Sequence, residues 1–188
     1  MTYDRPPAPE DLEPVESFCD SARFLYGEDA FSDPDSARSW LRGRGHTAAA
    51  DALDGAGLEV LTGVREAVRG HLEGDAEARR RLTGAAAELL GAPRWSEDGA
   101  LAHPVTAEDP VRALAGAVLA ALAAAEPSGR RARLKVCRSP ECRWVFYDRS
   151  PANNASWCSM DVCGARHKMR TYRSRRTAPR AGGREAGG

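Results

Sequence analysis

Apolar residues recur at spacings of three and four along most of the first 125 positions, the signature of amphipathic helices. Leu12, Val15, Cys19, Ala22 and Tyr26 predict a helix over 11–26, with Pro14 in its first turn and Gly27 as its stop. Asp33 followed by Pro34 is a helix start, a capping acceptor before a proline at the first helical position. Ala37, Trp40 and Leu41 give that helix an apolar face, ended by Gly43 or Gly45. Leu58, Leu61, Val64, Val68 and Leu72 mark a longer helix. Ala78, Leu82, Ala85, Leu89 and Leu90 mark another, capped by Asp75. Asp109–Pro110 repeats the start signal before Leu114, Val118 and Leu122.

Two interruptions shape the organisation. Within 92–104 the pair Asp98–Gly99 is a two-residue hairpin signal, so a small β-hairpin is expected there. The segment Glu126-Pro-Ser-Gly-Arg130 breaks the helical pattern and reads as a domain boundary. After it the pattern changes to the β-type runs Leu134-Lys-Val136 and Trp144-Val-Phe-Tyr147. A last helix is expected from Ser159, as N-cap, to about Arg175, with Asp161 in its first turn. Ala165, Met169 and Tyr172 form its apolar stripe, which should be buried. Arg166, Arg170 and Arg173 form a neighbouring stripe, with Lys168 and Arg175 on the other side.

Charge separates along the same boundary. Residues 130–188 hold 15 Lys and Arg against 4 Asp and Glu, a formal +11, and residues 1–129 carry −11, so the net charge is zero. Opposed halves of this kind suggest an acidic regulatory domain joined to one that seeks polyanions. No run of about 18 apolar residues exists, so no membrane partner is expected. The first ten residues lack the basic start and apolar stretch of a signal peptide, and the expected location is cytoplasmic.

Four of the five cysteines carry the chemistry. Cys137, Cys142, Cys158 and Cys163 obey C-x4-C, fifteen residues, C-x4-C. Two close pairs so separated form a structural zinc pattern, in which four thiolates close a tetrahedron around one Zn2+. A segment of this size buries too little apolar surface to hold itself, so metal binding would supply folding energy. Two disulfides fit poorly with a cytoplasmic chain. An iron–sulfur cluster is the main alternative, although the spacing does not match the common ferredoxin patterns. Cys19, on an apolar helix face, reads as a buried inert thiol. A metal-fixed hairpin followed by a ligand-bearing helix is treble-clef-like.

Residues 134–176 resemble the bacterial CGNR zinc finger. The resemblance rests on Cys137, Cys142, Phe146, Asp148, Arg149 and Ser150, then Trp157-Cys158-Ser159-Met160, Cys163-Gly164-Ala165-Arg166 and Lys168. Ala165 stands where the family name has Asn. The N-terminal part resembles the ABATE domain that usually precedes this finger. That match rests on Phe18-Cys19-Asp20-Ser21-Ala22-Arg23, Tyr26-Gly27, Asp33-Pro34 and Trp40-Leu41, with Asp20-Ser21 where the family commonly has Asn-Thr. Together the resemblances imply a stress-responsive transcription regulator, with a sensor for a small-molecule or protein ligand followed by a DNA-binding finger.

The expected architecture is therefore a mainly α, helix-rich α+β domain with a small β-hairpin over 11–126, a linker over 127–133, and a four-cysteine zinc finger over 134–176. Residues 1–10 and 177–188 are expected to be disordered. DNA would meet Arg166, Lys168, Arg170, Arg173, Arg175 and Arg176. The alternative is a zinc-stabilised interaction module docking on the transcription machinery or another acidic partner. An enzyme is not expected: the four histidines are scattered, no P-loop, Rossmann glycine pattern or nucleophile elbow appears, and four thiolates leave no open metal position. Tyr26, Trp40, Trp95 and His103 could line a ligand pocket but read more simply as core or hairpin residues. Asp20 and Arg23, three apart, could form a local ion pair.

Overall fold

The computed structural model describes residues 6–9, 11–97 and 99–177. The chain divides into two compact units, Met1–Cys158 and Ser159–Gly188. In the first unit, α1 (Glu13–Cys19), α2 (Pro34–Gly43), α3 (Thr47–Ala52), α4 (Gly55–Glu73), α5 (Ala76–Leu89) and α6 (Pro110–Ala125) build a helical body. Its antiparallel strand pairs are β1 (Ala22–Arg23) with β2 (Glu28–Asp29), β3 (Arg94–Trp95) with β4 (Leu101–Ala102), and β5 (Leu134–Val136) with β6 (Val145–Tyr147).

The capping chemistry read from the sequence operates as expected. The Asp33 carboxylate accepts from the backbone N–H groups of Asp35 and Ser36, Asp75 from Glu77, and Asp109 from Arg112. Gly74 closes α4 in the left-handed region at φ +89°. Helix α5 returns so close to α4 that a Cβ on Gly70 would lie 2.5 Å from the Cβ of Ala78. Neither atom can rotate away, so Gly70→Ala must push the helices apart. A loss of about 1–3 kcal/mol is expected in chemical denaturation. An unchanged midpoint would contradict this close crossing.

The first helix is shorter than its pattern predicts. Leu12, Val15, Cys19 and Ala22 are all buried, yet α1 stops at Cys19. Two short polar side chains at its end take other partners, one local and one distant. The Ser21 hydroxyl donates to the Phe18 carbonyl at 2.8 Å, and Asp20 turns its carboxylate away to the Val145 N–H at 3.2 Å. The chain continues as β1, a 3-10 turn over Phe24–Tyr26 and β2, with Gly27 at φ +67° between them. Within the N-terminal stretch expected to be disordered, Ala8 is buried and its N–H donates to Glu16. Thr177, at the start of the other end expected to be disordered, is helical, and 1–5, 10 and 178–188 lie outside the described residues.

The small hairpin is present but built on a longer loop. Arg94 pairs with Ala102 and Trp95 with Leu101, so 96–100 connect the strands rather than a two-residue turn. Gly99 takes the positive φ, +81°, and Asp98 lies outside the described residues.

The sequence boundary at 127–133 does not separate two cores. Leu134 and Val145, from the β5–β6 pair, are buried in one cluster with Leu12, Val15, Phe18, Leu61, Val68 and Leu122. Polar contacts reinforce this seam. Glu16 accepts from the Tyr147 N–H at 2.9 Å, and Arg143 makes a two-pronged ion pair with Glu73 at 2.8 and 2.9 Å. The helix-breaking Pro-Ser-Gly segment marks the end of α6, but the apolar sides of β5 and β6 need a partner, and the helices supply it.

In the second unit a π-helical turn over Met160–Gly164 leads into α7 (Ala165–Thr177). The Ser159 hydroxyl accepts from the N–H groups of Asp161 and Val162 at 3.2 Å, the N-cap expected of it. The apolar stripe of α7 is not buried: Met169 is 51% and Tyr172 56% exposed, and Ala165 is also exposed. Three apolar residues among this many cations do not hide a face.

Candidate metal centre

The turn after β5 and the turn before α7 carry the four cysteines. In the first, the Cys137 N–H donates to the Trp144 carbonyl at 2.8 Å. The Ser139 carbonyl accepts the N–H groups of Cys142 and Arg143 at 2.9 and 3.1 Å, which closes the knuckle. Arg143 leaves it at φ +48°, an uncommon conformation for a residue with a side chain. In the second, the Ser159 carbonyl accepts from the Cys163 N–H at 3.1 Å.

The sulfur atoms of Cys137, Cys142, Cys158 and Cys163 lie within 4.8 Å of one another, and all four residues are buried. Cys142 and Cys158 approach to 3.5 Å, and no disulfide joins any of the five cysteines. A tetrahedron with metal–sulfur bonds of about 2.3 Å places its sulfurs about 3.8 Å apart, so the cluster of four thiols is of the size a zinc site needs. Its electrostatics point the same way. Hydrogen bonds from the Cys142 and Cys158 thiols, then from the Cys158 and Ser139 backbones, push the Cys137 thiol down. Cys142 is pushed up because it keeps the proton it donates to Cys137. The two thiols titrate as one pair, and a bound dication would favour all four groups as thiolates.

A carboxylate organises the loop that returns the chain to Cys158. Asp148 is fully buried. It accepts from the N–H groups of Ser150 and Ala155 at 2.9 and 2.8 Å and from Lys135 Nζ at 2.6 Å. Burial opposes its ionisation, but Lys135 and these donors prevail and hold it far below the usual carboxylate range.

A buried hairpin knuckle and a capped turn, each giving two thiolates, define a structural zinc module. Residues 133–176 match the model of the CGNR zinc finger family. No curated protein matches the chain.

The other expected residues fall as follows. Arg166, Lys168, Arg170, Arg173, Arg175 and Arg176 are all exposed on α7. Arg176 shares the side of Tyr172, with its guanidinium 5.7 Å from the ring centre. Cys19 is a buried thiol pushed up to about 12 by burial, as an inert group should be. Asp20 and Arg23 do not pair: Arg23 meets Glu28 at 2.8 Å. Trp40 lines a cleft, Tyr26 lies beside Trp144 and Cys142, and Trp95 stands 76% exposed on its hairpin. Sequence reasoning missed Glu16, Arg65 and Arg69. Each is a charged residue on a helix whose burial depends on distant partners, and the one available signal was that Arg65 and Arg69 fall within the apolar stripe of α4.

Proposed function

We propose that the chain is a zinc-dependent, DNA-binding transcription regulator whose N-terminal helices act as a sensor. The observation that carries the reading is α7. This helix of 13 residues holds Arg166, Lys168, Arg170, Arg173, Arg175 and Arg176, all exposed, and no acidic residue. It begins two residues after the ligand Cys163, so the metal stabilises the turn that starts it. At about 20 Å long it fits a major groove or tracks a phosphate backbone. Four thiolates carry a formal −2 with the zinc, which leaves the C-terminal segment strongly basic. They also fill the coordination sphere, which supports a structural metal and a non-catalytic protein. The likeness to the ABATE domain supports the sensor half. A protein-docking function is the second reading, favoured by the exposed apolar residues Met160, Met169 and Tyr172.

The test is a triple substitution of Arg166, Arg170 and Arg173 by Ala, with zinc content and helicity checked. Mapping of occupied chromosomal sites should show them lost. In vitro, three lost phosphate contacts should lower the magnitude of the salt slope by roughly 2–3. A variant that keeps its zinc and occupies the same sites as wild type would move the weight to protein docking.

A further inference from the structure

The first unit contains an open cleft of about 870 Å³ between α1, α2, the β1–β2 pair and the start of β6. Trp40, Trp144 and Phe146 supply aromatic walls, and Glu16, Asp20 and Arg44 are among the charged residues lining it. Most of its charges are already engaged. Asp29 is held by Arg65 at 2.6 and 2.8 Å, and Glu28 by Arg23 at 2.8 Å. Glu16 accepts two backbone N–H groups, from Ala8 at 2.5 Å and Tyr147 at 2.9 Å. Arg44 bonds Ser17, stands over the Trp40 ring at 5.1 Å and lies 3.8 Å from Glu13.

Asp20 is the exception. One of its oxygens accepts the Val145 N–H at 3.2 Å, and no ion pair to it is found among the described residues. Asp20 is half-buried in the cleft wall, and Arg69 and Arg44 favour its charge from a distance without forming an ion pair with it. Burial, and then the neighbouring Glu16 carboxylate, push its ionisation well above the usual range. A metal ion is not the natural complement, since the cysteine cluster is the only metal-type grouping of ligand atoms among the described residues.

We propose that this cleft is a binding site for a small organic ammonium, with the protonated amine paired to Asp20 and the ligand's apolar body against Trp40 and Trp144. The site rests on the reading of the N-terminal helices as a sensor and gives that sensor its ligand class. The ammonium supplies the charge that Asp20 lacks and donates to the oxygen not used by Val145. Arg44 and Arg23 already stand over the Trp40 and Trp144 rings, so these walls serve the ligand as apolar surface for its alkyl or aryl group. The same carboxylate holds the backbone of β6, so occupancy reaches the zinc-bearing hairpin through the Asp20–Val145 bond.

The test uses the full zinc-loaded chain and two probes of one shape, phenethylammonium and the uncharged 2-phenylethanol. Titration calorimetry should show the amine binding saturably and the alcohol at least tenfold more weakly. The key variant is Asp20→Asn. Its amide oxygen can keep the Val145 bond while the carboxylate and its repulsion with Glu16 are gone, so it should fold at least as stably as wild type. Amine affinity should nevertheless fall at least tenfold. In amide NMR spectra, Val145 and Tyr147 should shift with the amine in wild type and not in the variant. Equal amine binding by Asp20→Asn, equal binding of the alcohol, or no amine binding by wild type would overturn the site. DNA affinity measured on the same samples separates the two readings. Unchanged DNA affinity in the presence of bound amine would overturn the sensor role while the ammonium site stands.

Discussion

Cys158→Ser is expected to abolish zinc binding and to unfold helices α1–α6 together with the hairpin, in one transition. The reason lies in the shared core. Leu134 and Val145 are buried among residues of α1, α4 and α6, at 2% and 0% exposure. The two strands carrying them have three residues each and flank the first zinc knuckle. Two strands of that length do not hold their geometry in water without support. A structural zinc of this type contributes apparent binding free energy of about 10–16 kcal/mol, which is folding energy for the segment it organises. Removing it frees the hairpin, exposes two core side chains at about 1.5–3 kcal/mol each, and strips Glu16 and Asp20 of backbone partners. Those losses are comparable with the entire net stability of a domain, about 5–15 kcal/mol. Far-UV circular dichroism during denaturant titration should show helix signal lost at a much lower midpoint, and a chelator should produce the same shift in wild type. A protease-resistant fragment spanning 12–126 in the mutant would show that the helices stand alone.

That expectation reverses what the chain's pattern suggests, and the difference has a physical origin. Local signals were legible. Asp33, Asp75 and Asp109 cap helices because each needs only its own next three residues. The zinc site was legible because close pairs of thiols have few other uses in such spacing, and their convergence is now seen. The boundary was not legible. Pro127 and Gly129 correctly mark the end of a helix, but whether the following strands have their own core depends on contacts over a hundred residues away, such as Glu16 to Tyr147. The end of α1 was hidden for a similar reason. Leu12 through Ala22 keep helical spacing, while the side chains of Asp20 and Ser21 that break the helix find partners at Val145 and Arg65. The exposure of Met169 and Tyr172 was missed because an apolar stripe predicts burial only if something covers it.

Arg65 provides the second large effect, and its sign depends on which partner is removed. The guanidinium is 2% exposed at its side chain, and its ring-stacked position over Phe31, 5.0 Å from the centroid, leaves no route to water. It donates to both Asp29 oxygens, to Glu66 and to Ser21. Asp29, by contrast, is 30% exposed at its side chain. Asp29→Ala therefore strands a buried cation with only Glu66 as counter-charge, and a cost of about 3–5 kcal/mol is expected. Arg65→Met strands a carboxylate that water can still reach and replaces the cation by an apolar chain, so it should cost distinctly less. Acid should reveal the same pair. Burial raises the Asp29 ionisation, but the Arg65 hydrogen bonds outweigh it and leave the group lowered. A lowered folded value means that the pair's stabilisation is complete above the unfolded carboxylate value of about 3.9 and is lost as pH falls through the folded value. Arg65→Met should flatten that part of the stability–pH curve. Denaturant midpoints of the two single variants, measured at pH 7 and across the acid range, decide the matter. Equal losses for Asp29→Ala and Arg65→Met would mean that the guanidinium is not the group trapped away from water.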